Sequence, residues 1–143
     1  MIEGVELIEV PVMRDQRGAL FKMVSNATPQ FKSFGEVYFS SINPGIVKGW
    51  HLQKRMTRIY AVPVGLVRVV IYDPRSRAVE EFELGEDCYR LLVIPPNVWN
   101  SFAGLGTTPS LVADFASEIF DPAMAERRDL ADPDIPYRWN LPV

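Results

Sequence analysis

The chain has 143 residues, of which 48% are apolar and 23% are charged, and its formal net charge is −3. This length and composition predict one globular domain, residues 1–143, with a real hydrophobic core. The small negative charge does not favour a nucleic-acid or membrane-surface protein, because binding to a polyanion needs an excess of cations. The single cysteine, Cys88, excludes an intrachain disulfide.

The location of the protein is predicted from two further features. Residues 1–10 carry acidic side chains where a secretion signal would carry basic ones. The longest apolar stretch, residues 59–72, is interrupted by Pro63, Gly65 and Arg68, so it is too short and too broken to span a bilayer. We expect a soluble, cytoplasmic protein.

Short runs rich in Val, Ile, Phe and Tyr recur along the chain and are separated by Pro, Gly, Asn and Asp. This spacing predicts an all-β protein, an antiparallel sandwich or barrel. Strands are predicted at residues 5–10, 19–24, 35–42, 47–53, 57–62, 66–72, 79–84, 89–94, 97–102 and 111–119. A helical turn is predicted at 122–129, with Asp121 as its N-cap and Pro122 at its first position. The tail from Ala131 is expected to be extended and to pack through Tyr137 and Trp139.

His51 is the only histidine, and it lies in a β-type run, residues 45–53, with polar residues at its end. A side chain that titrates near neutrality is the first candidate for a general base. One imidazole cannot build the usual two- or three-histidine site for a first-row metal, so we expect no metal ion. From residue type alone, a packed or exposed histidine without a function is the alternative.

Two segments resemble the conserved blocks of the cupin barrel, which is a double-stranded β-helix or jelly roll. They are Gly49-Trp50-His51-Leu52-Gln53 and residues 94–102. Where metal-binding cupins carry further histidines, this chain has Gln53 and Asn100. A closer resemblance, over most of the chain, is to the metal-free dTDP-4-dehydrorhamnose 3,5-epimerase family. That resemblance is carried by residues 15–18, 45–53, 58–65, 70–75 and 94–102, by 131–135, and by Trp139 and Pro142.

The resemblance implies a catalytic group built around His51. In such a family the histidine removes a proton next to the keto group of a 4-keto nucleotide sugar. Asp132 matches an aspartate that pairs with this histidine, fixes its tautomer and raises its proton affinity. Once a short gap is allowed after Gln53, Arg58 matches the family's lysine, which stabilises the enolate oxygen. Asp114 stands where the family has a tyrosine that returns a proton on the opposite face of the sugar.

Four further residues are implied as substrate-binding. Arg17 and Lys48 match family positions that contact the substrate or its diphosphate, for which a cation is suited. Gln53 would be a polar neighbour in the same pocket, and Asn100 replaces a second family histidine. No metal or organic cofactor is implied. The family also implies a homodimer in which strands are shared between the subunits.

The resemblance predicts an epimerase that acts on a 4-keto-6-deoxy nucleotide sugar for deoxysugar biosynthesis. The replaced pocket residues leave open a single-centre epimerase, a different sugar or nucleotide, or a lost activity. A sugar 3,4-ketoisomerase is the first alternative, although a second histidine close after His51 is expected there. A non-catalytic cupin that only binds a nucleotide sugar is the second alternative, and the missing tyrosine favours it.

Several of these residues also have plain structural interpretations. Arg17-Gly18 fits a hairpin turn, and Asp132, which precedes Pro133, fits an ordinary turn aspartate. Asp114 lies between Ala113 and Phe115 in an apolar strand. A buried carboxylate is costly unless it is paired, so we expect an arginine of the pocket beside it.

Overall fold

In the computed structural model, which describes residues 1–141, the chain forms twelve β-strands and one 3-10 turn. The strands are β1 (Glu6–Glu9), β2 (Val12–Asp15), β3 (Gly18–Phe21), β4 (Glu36–Ile42), β5 (Val47–Gln53), β6 (Arg58–Val64), β7 (Leu66–Tyr72), β8 (Val79–Gly85), β9 (Arg90–Ile94), β10 (Trp99–Gly104), β11 (Ser110–Ala116) and β12 (Ala125–Arg127). The 3-10 turn is Pro122–Met124. Within the described residues, no helix is long and apolar enough to cross a membrane.

The strands form two five-stranded sheets and a separate hairpin. Sheet one has the order β1-β9-β6-β11-β4, sheet two has the order β12-β5-β10-β7-β8, and β2 pairs with β3. Every strand pair in the two sheets is antiparallel. The two sheets face each other and enclose an apolar interior, which is the antiparallel barrel that the strand pattern predicts and the jelly roll that the resemblance implies.

Most predicted strands are confirmed, and two of them, β5 and β7, have the predicted bounds. The strands β2 and β12 were not predicted. The prediction of a helical turn over residues 122–129 is wrong after Met124, where the 3-10 turn ends. Asp121 caps the turn by accepting from the backbone N–H of Ala123 at 3.0 Å, as expected. The chain then leaves the turn because residues 125–127 pair with β5 instead.

Alternation along the strands separates the barrel interior from its outer faces. In β6, Tyr60 and Val62 join the interior cluster, whereas Ile59 and Ala61 belong to a cluster on the outer face of sheet one. Apolar side chains of the N-terminal segment and of the β2–β3 hairpin pack on that outer face. Sheet one is therefore buried on both sides at β6 and β9, whereas Val37 and Phe39 of β4 are exposed.

The C-terminal tail covers the outer face of sheet two. Trp50 and Leu52 of β5 are buried there with Ile135, and Tyr137 and Trp139 pack against them. The Trp139 indole Nε1 donates to Ser101 Oγ at 2.9 Å. The predicted packing of the tail is confirmed.

Gly49 permits the close contact between β5 and β10. Its φ is +138°, and a Cβ at this position would lie 2.3 Å from Ser101 Cβ. The register between the two strands shifts at this point, because His51 lies opposite Asn100 whereas Lys48 lies opposite Phe102. This irregularity breaks the alternation of β5, so Lys48 and His51, three residues apart, line the same cavity.

Candidate active site

A cavity of about 510 Å³ opens between the inner faces of the two sheets. Sheet one contributes side chains from β4, β6 and β11, and sheet two contributes them from β5, β10 and β12. The lining residues are Glu36, Tyr38, Ser40, Lys48, His51, Gln53, Arg58, Tyr60, Phe102, Val112, Asp114, Phe120 and Arg127. Five residues proposed from the sequence therefore line one space: His51, Arg58, Asp114, Lys48 and Gln53.

The wall formed by β5 carries His51 and Gln53. Their side chains point inward because Trp50 and Leu52, which alternate with them, are buried on the outer face. The Oε1 atom of Gln53 is buried and accepts no hydrogen bond from any of residues 1–141. A buried acceptor without a donor is costly, so this oxygen is suited to a hydroxyl group of a bound molecule.

The opposite wall carries a row of polar side chains in register. Asp114 of β11 lies opposite Tyr38 of β4 on one side and opposite Tyr60 of β6 on the other. Burial raises the pKa of Tyr38, and the carboxylates of Asp114 and Glu36 raise it further. The Tyr38 phenol is therefore protonated at neutral pH and can act as a proton donor.

Arg58 and Asp114 form a buried ion pair on this wall. The Arg58 Nη2 atom lies 2.7 Å from Asp114 Oδ2, and Nε lies 3.1 Å from the same oxygen. Burial raises the pKa of Asp114, and the charge of Arg58 opposes this rise. For Arg58, burial lowers the pKa, but Tyr60 and Asp114 together raise it more. Arg58 therefore stays cationic, and the expected arginine partner of Asp114 is present.

Tyr60 and Asn100 support this ion pair from within the barrel. The Arg58 guanidinium lies over the Tyr60 ring, with its Cζ 4.9 Å from the ring centroid. The Asn100 amide Nδ2 donates to the Tyr60 hydroxyl at 2.9 Å. Asn100 is 2% exposed and does not line the cavity. In this structure Asn100 lies behind Tyr60 and holds it in position.

His51 is half-buried, and its pKa is lowered to about 4 by burial and by the cations Arg127 and Arg58. This direction is opposite to the rise that the resemblance implied. The imidazole is therefore neutral at physiological pH and free to accept a proton. Burial is the largest cause of this reduced basicity, and the two cations that add to it lie on different strands, β12 and β6.

Asp132 lines a second, more open cavity of about 710 Å³ that also includes His51, Lys48 and Arg127. Its carboxylate Oδ1 lies 3.7 Å from Nη1 of Arg128 and accepts from the backbone N–H of Asp134 at 2.8 Å. His51 lines both cavities, whereas Arg58 lines only the first and Asp132 only the second. Within residues 1–141, the cation that pairs with the Asp132 carboxylate is Arg128. No hydrogen bond joins Asp132 to His51 among these residues.

The two other predicted cationic residues differ in location. Lys48 bridges β5 to β4, because its Nζ donates to Ser40 Oγ at 3.0 Å and to the Ser41 carbonyl at 2.6 Å. Arg17 lies at the tip of the β2–β3 hairpin, with its side chain 84% exposed, and pairs with Asp15 at 2.6 Å. Arg17 does not line the cavity that contains His51.

Sequence reasoning missed two residues with clear chemistry, Tyr38 and Arg127. Alternation in β4 puts Glu36, Tyr38 and Ser40 on one face, but the pattern does not say which face lines the cavity. Arg127 lies in a three-residue strand without an apolar run. No pattern in the sequence singles it out from Arg128 beside it.

The cavity offers acid–base chemistry rather than a ligand set for a metal ion. Among residues 1–141, no three His, Cys, Asp or Glu side chains are placed to hold a metal ion together. A neutral imidazole stands on one wall, and a phenol and a buried guanidinium stand on the other. These groups can remove a proton, stabilise an oxyanion and return a proton.

Comparison with known proteins assigns the chain to a family. A family model described as "FdtA: WxcM-like, C-terminal" matches residues 3–129. The chain belongs to this family. Its barrel is of the cupin class, as the sequence predicts.

Individual relatives of this FdtA, WxcM-like family member align over nearly the whole chain. A probable low-salt glycan biosynthesis epimerase of Haloferax volcanii is 30% identical, over 99% of this chain and 97% of the relative. The spore coat polysaccharide biosynthesis protein SpsL of Bacillus subtilis is 27% identical, over 98% and 97%. The crystal structure of a dTDP sugar isomerase from Desulfovibrio desulfuricans G20 is 40% identical, with a TM-score of 0.93, and the match covers 96% of this chain and 92% of that one.

Proposed function

We propose that this protein is an epimerase of a 4-keto-6-deoxy nucleotide sugar. The observation that carries the proposal is the arrangement of the cavity: His51 stands on one sheet, and Tyr38 and the buried Arg58 stand on the other. Epimerisation removes a proton from one face of a carbon and returns a proton to the opposite face. A base and an acid on facing walls meet that requirement.

The proposed reaction begins with proton transfer to His51. The C–H bond next to the keto group breaks, its proton moves to the neutral imidazole, and its electron pair forms the enolate. Arg58 stabilises the enolate oxygen. Its Nε and Nη2 atoms donate to Asp114, and a guanidinium has five N–H donors, so those on Nη1 remain for a ligand.

Tyr38 completes the reaction in this scheme. Its phenol gives a proton to the enolate carbon from the opposite wall, and the electron pair of the enolate forms the new C–H bond. The resulting phenolate and imidazolium return to their starting states by proton exchange with water. Tyr38 thus takes the part of the acid that the family resemblance places at Asp114, whose carboxylate is held by Arg58.

The relatives support a sugar-nucleotide substrate. The structure with 40% identity is that of a dTDP sugar isomerase, and a curated relative is a probable glycan biosynthesis epimerase. Another relative belongs to spore coat polysaccharide biosynthesis. We infer a role in the synthesis of a deoxysugar such as rhamnose for a polysaccharide, in the cytoplasm and without an added cofactor. The likeness to dTDP-4-dehydrorhamnose 3,5-epimerases supports C3, C5 or both as the centres inverted.

The substrate is proposed to span both cavities. Lys48 and Gln53 would contact the sugar end, since both line the smaller cavity. Asp132 would orient His51 from the larger cavity. Arg17 would meet the substrate only if it came from a second subunit, because in its own chain it lies outside the cavity.

We further propose a homodimer formed through β4. This strand is at the edge of sheet one, with one side unpaired among the described residues. Its outward side chains include Phe39, which is 67% exposed, and Phe34, just before β4 in the chain, and Ile119, just after β11, are 67% and 70% exposed. A long, apolar sheet edge is unfavourable in water unless it is covered. A second copy of the chain is the occupant that the family resemblance favours.

A 3,4-ketoisomerase is the second candidate, and the Arg58–Asp114 ion pair favours it. Asp114 stands where the epimerase family has its tyrosine, and because it is paired with Arg58 it is not available as a proton donor. Ketoisomerisation passes through an enediol and can use one base on one face of the sugar. It therefore needs no acid on the opposite wall.

The products distinguish these reactions. The protein would be incubated with dTDP-4-keto-6-deoxyglucose, and the products identified by NMR. Inversion at C3 or C5 is the expected result, whereas a 3-keto product would establish the ketoisomerase. With Tyr38→Phe, we expect deuterium from the solvent to enter the substrate without inversion, because His51 still removes and returns a proton on its own face. Full inversion by this variant would rule out Tyr38 as the acid.

A further inference from the structure

Arg127 lies directly opposite His51 on the neighbouring strand. The adjacent pair, Trp50 and Arg128, exchanges two backbone hydrogen bonds of 3.1 Å each. In an antiparallel ladder, the next pair along is a non-hydrogen-bonded pair, whose side chains approach each other most closely. The geometry of the backbone thus holds a permanent cation against the only imidazole of the chain.

The charge of Arg127 is not balanced within the described part of the protein. No carboxylate among residues 1–141 forms an ion pair with it, whereas its neighbour Arg128 pairs with Asp132 and Asp134. Arg127 lines both cavities, so its guanidinium faces the space where a ligand would lie. It is the cation at this mouth that is most available to an anion.

The charged and titratable groups around His51 come from every element that meets at the mouth. They are Arg127 of β12, Lys48 of β5, Arg58 and Tyr60 of β6, Asp114 of β11, Glu36 and Tyr38 of β4, and Arg128, Asp129 and Asp132 of the segment after β12. Arg58 and Arg128 have carboxylate partners. Lys48 is tethered to β4 by two hydrogen bonds. Among these cations, Arg127 is therefore the one whose electrostatic effect on His51 a bound anion can most easily neutralise.

We propose that Arg127 binds the diphosphate of the nucleotide sugar and that this binding turns His51 from a suppressed base into an active one. The proposal rests on the proposed function, because the nucleotide sugar supplies the anion. Without a ligand, the facing cation disfavours the imidazolium. A diphosphate on Arg127 neutralises that cation and brings negative charge close to the ring. The burial of His51 and the charge of Arg127 are the two main causes of its lowered pKa, and the ligand removes the second.

This coupling must be reciprocal. If a bound diphosphate favours the imidazolium, then protonation of His51 must strengthen the binding of the diphosphate by the same factor. For a pyrophosphate of constant charge, binding should therefore become tighter as the pH falls toward the titration of His51 in the complex. The base would reach its full strength only while a substrate occupies the site.

The test uses the single histidine as its own reporter. The full-length protein, labelled with 13C at histidine Cε1, would be titrated by NMR with and without inorganic pyrophosphate. One imidazole signal is expected, because His51 is the only histidine. In the free protein its midpoint should lie far below about 6.5, the ordinary value. Saturating pyrophosphate should move the midpoint upward.

Arg127→Gln is the deciding variant, and Arg77→Gln is its matched control. Both remove one positive charge from an exposed arginine, and Arg77 lines neither cavity at the mouth. In Arg127→Gln, the midpoint of His51 should rise without pyrophosphate and should respond little when pyrophosphate is added. The affinity for pyrophosphate should fall by about tenfold or more, as expected for the loss of charged hydrogen bonds. Arg77→Gln should behave like the wild type.

Two results would overturn the inference. Equal pyrophosphate affinity in the wild type and Arg127→Gln would show that Arg127 is not the anion site. A His51 midpoint that is the same in both proteins, with and without pyrophosphate, would show that the cation does not control the base. Neither readout requires turnover. If the coupling is observed but no nucleotide sugar reacts, the proposed function fails and the coupling stands.

Discussion

His51 is the residue on which the chemistry depends, and its surroundings set when it can act. Burial and two cations lower its pKa to about 4, so its neutral form is present throughout the physiological range. The sequence predicted the residue because it is the only imidazole. It could not predict the direction of the pKa shift, because burial lowers the pKa and Arg127, which approaches His51 only through pairing of β12 with β5, lowers it further.

The lowered pKa of His51 predicts how folding stability depends on pH. The folded pKa lies below the unfolded value of about 6.5, so the unfolded chain takes up the proton first as the pH falls. Stability should therefore be lost between about pH 6.5 and pH 4. His51→Gln should lose less stability than the wild type between about pH 7 and pH 4.5 in urea unfolding. Equal losses in the two proteins would contradict the assigned direction.

The buried Arg58–Asp114 ion pair predicts that a single conservative substitution will strongly reduce folding stability. Asp114→Asn leaves a buried guanidinium without its counter-charge, and breaking such a pair typically costs about 3–5 kcal/mol of the free energy of unfolding. The double variant Arg58→Met, Asp114→Leu should be more stable than Asp114→Asn, because it leaves no unpaired charge. Urea unfolding of the three proteins checks this. A loss below about 1 kcal/mol in Asp114→Asn would mean that the pair is exposed in solution.

At the scale of elements, the pattern of each strand decided how well it could be predicted. The strands β5 and β7 have the predicted bounds, since runs of β-type residues end in Gly or Pro-rich and polar segments. The three residues of β12 carry no such run. They become a strand because the edge of β5 supplies partners, and no local pattern contains that information. Asp121 does cap a helical turn, as predicted, but pairing of residues 125–127 with β5 limits the helix to one turn.

The close contact at Gly49 predicts that a larger residue at this position will destabilise the fold and displace His51. Gly49→Ala would place a Cβ 2.3 Å from Ser101 Cβ and would push His51 away from the opposite wall. Gly106→Ala is the control, because Gly106 also has a positive φ, of +74°, but has no atom within 4 Å of an added Cβ. The control should lose about 1 kcal/mol from the backbone alone. Gly49→Ala should lose clearly more stability, and equal losses would contradict the close contact.

At the scale of the whole molecule, the barrel explains how distant residues form one site. Residues from 36 to 127 converge because two sheets face each other across the interior. The fold class was predicted from the sequence, and the family resemblance named His51, Arg58, Asp114, Lys48 and Gln53, which line one cavity. Tyr38 could not be predicted as a cavity residue, because alternation in β4 alone does not show which face of the strand points into the barrel. Arg17 lies outside the cavity of its own chain, so its predicted role depends on assembly.

The proposed homodimer predicts a change in mass with one substitution at the sheet edge. Phe39→Lys puts a charge on the exposed apolar face of β4 and should convert the dimer to a monomer in sedimentation velocity experiments. Val64→Lys is the matched control, because Val64 is also exposed, at 48%, but is the last residue of β6, which lies inside sheet one and not at the β4 edge. The control should remain dimeric. A wild-type protein that sediments as a monomer would contradict the proposal.

The central claim, that His51 removes a proton next to the keto group of a nucleotide sugar, is tested most directly by solvent exchange. The measurement follows deuterium incorporation at C3 and C5 of dTDP-4-keto-6-deoxyglucose by NMR in deuterated water. The wild type should label at least one of these carbons, and His51→Ala should be slower by about 10²–10⁴-fold, the usual contribution of a general base. Exchange at an undiminished rate in the folded variant would contradict the claim.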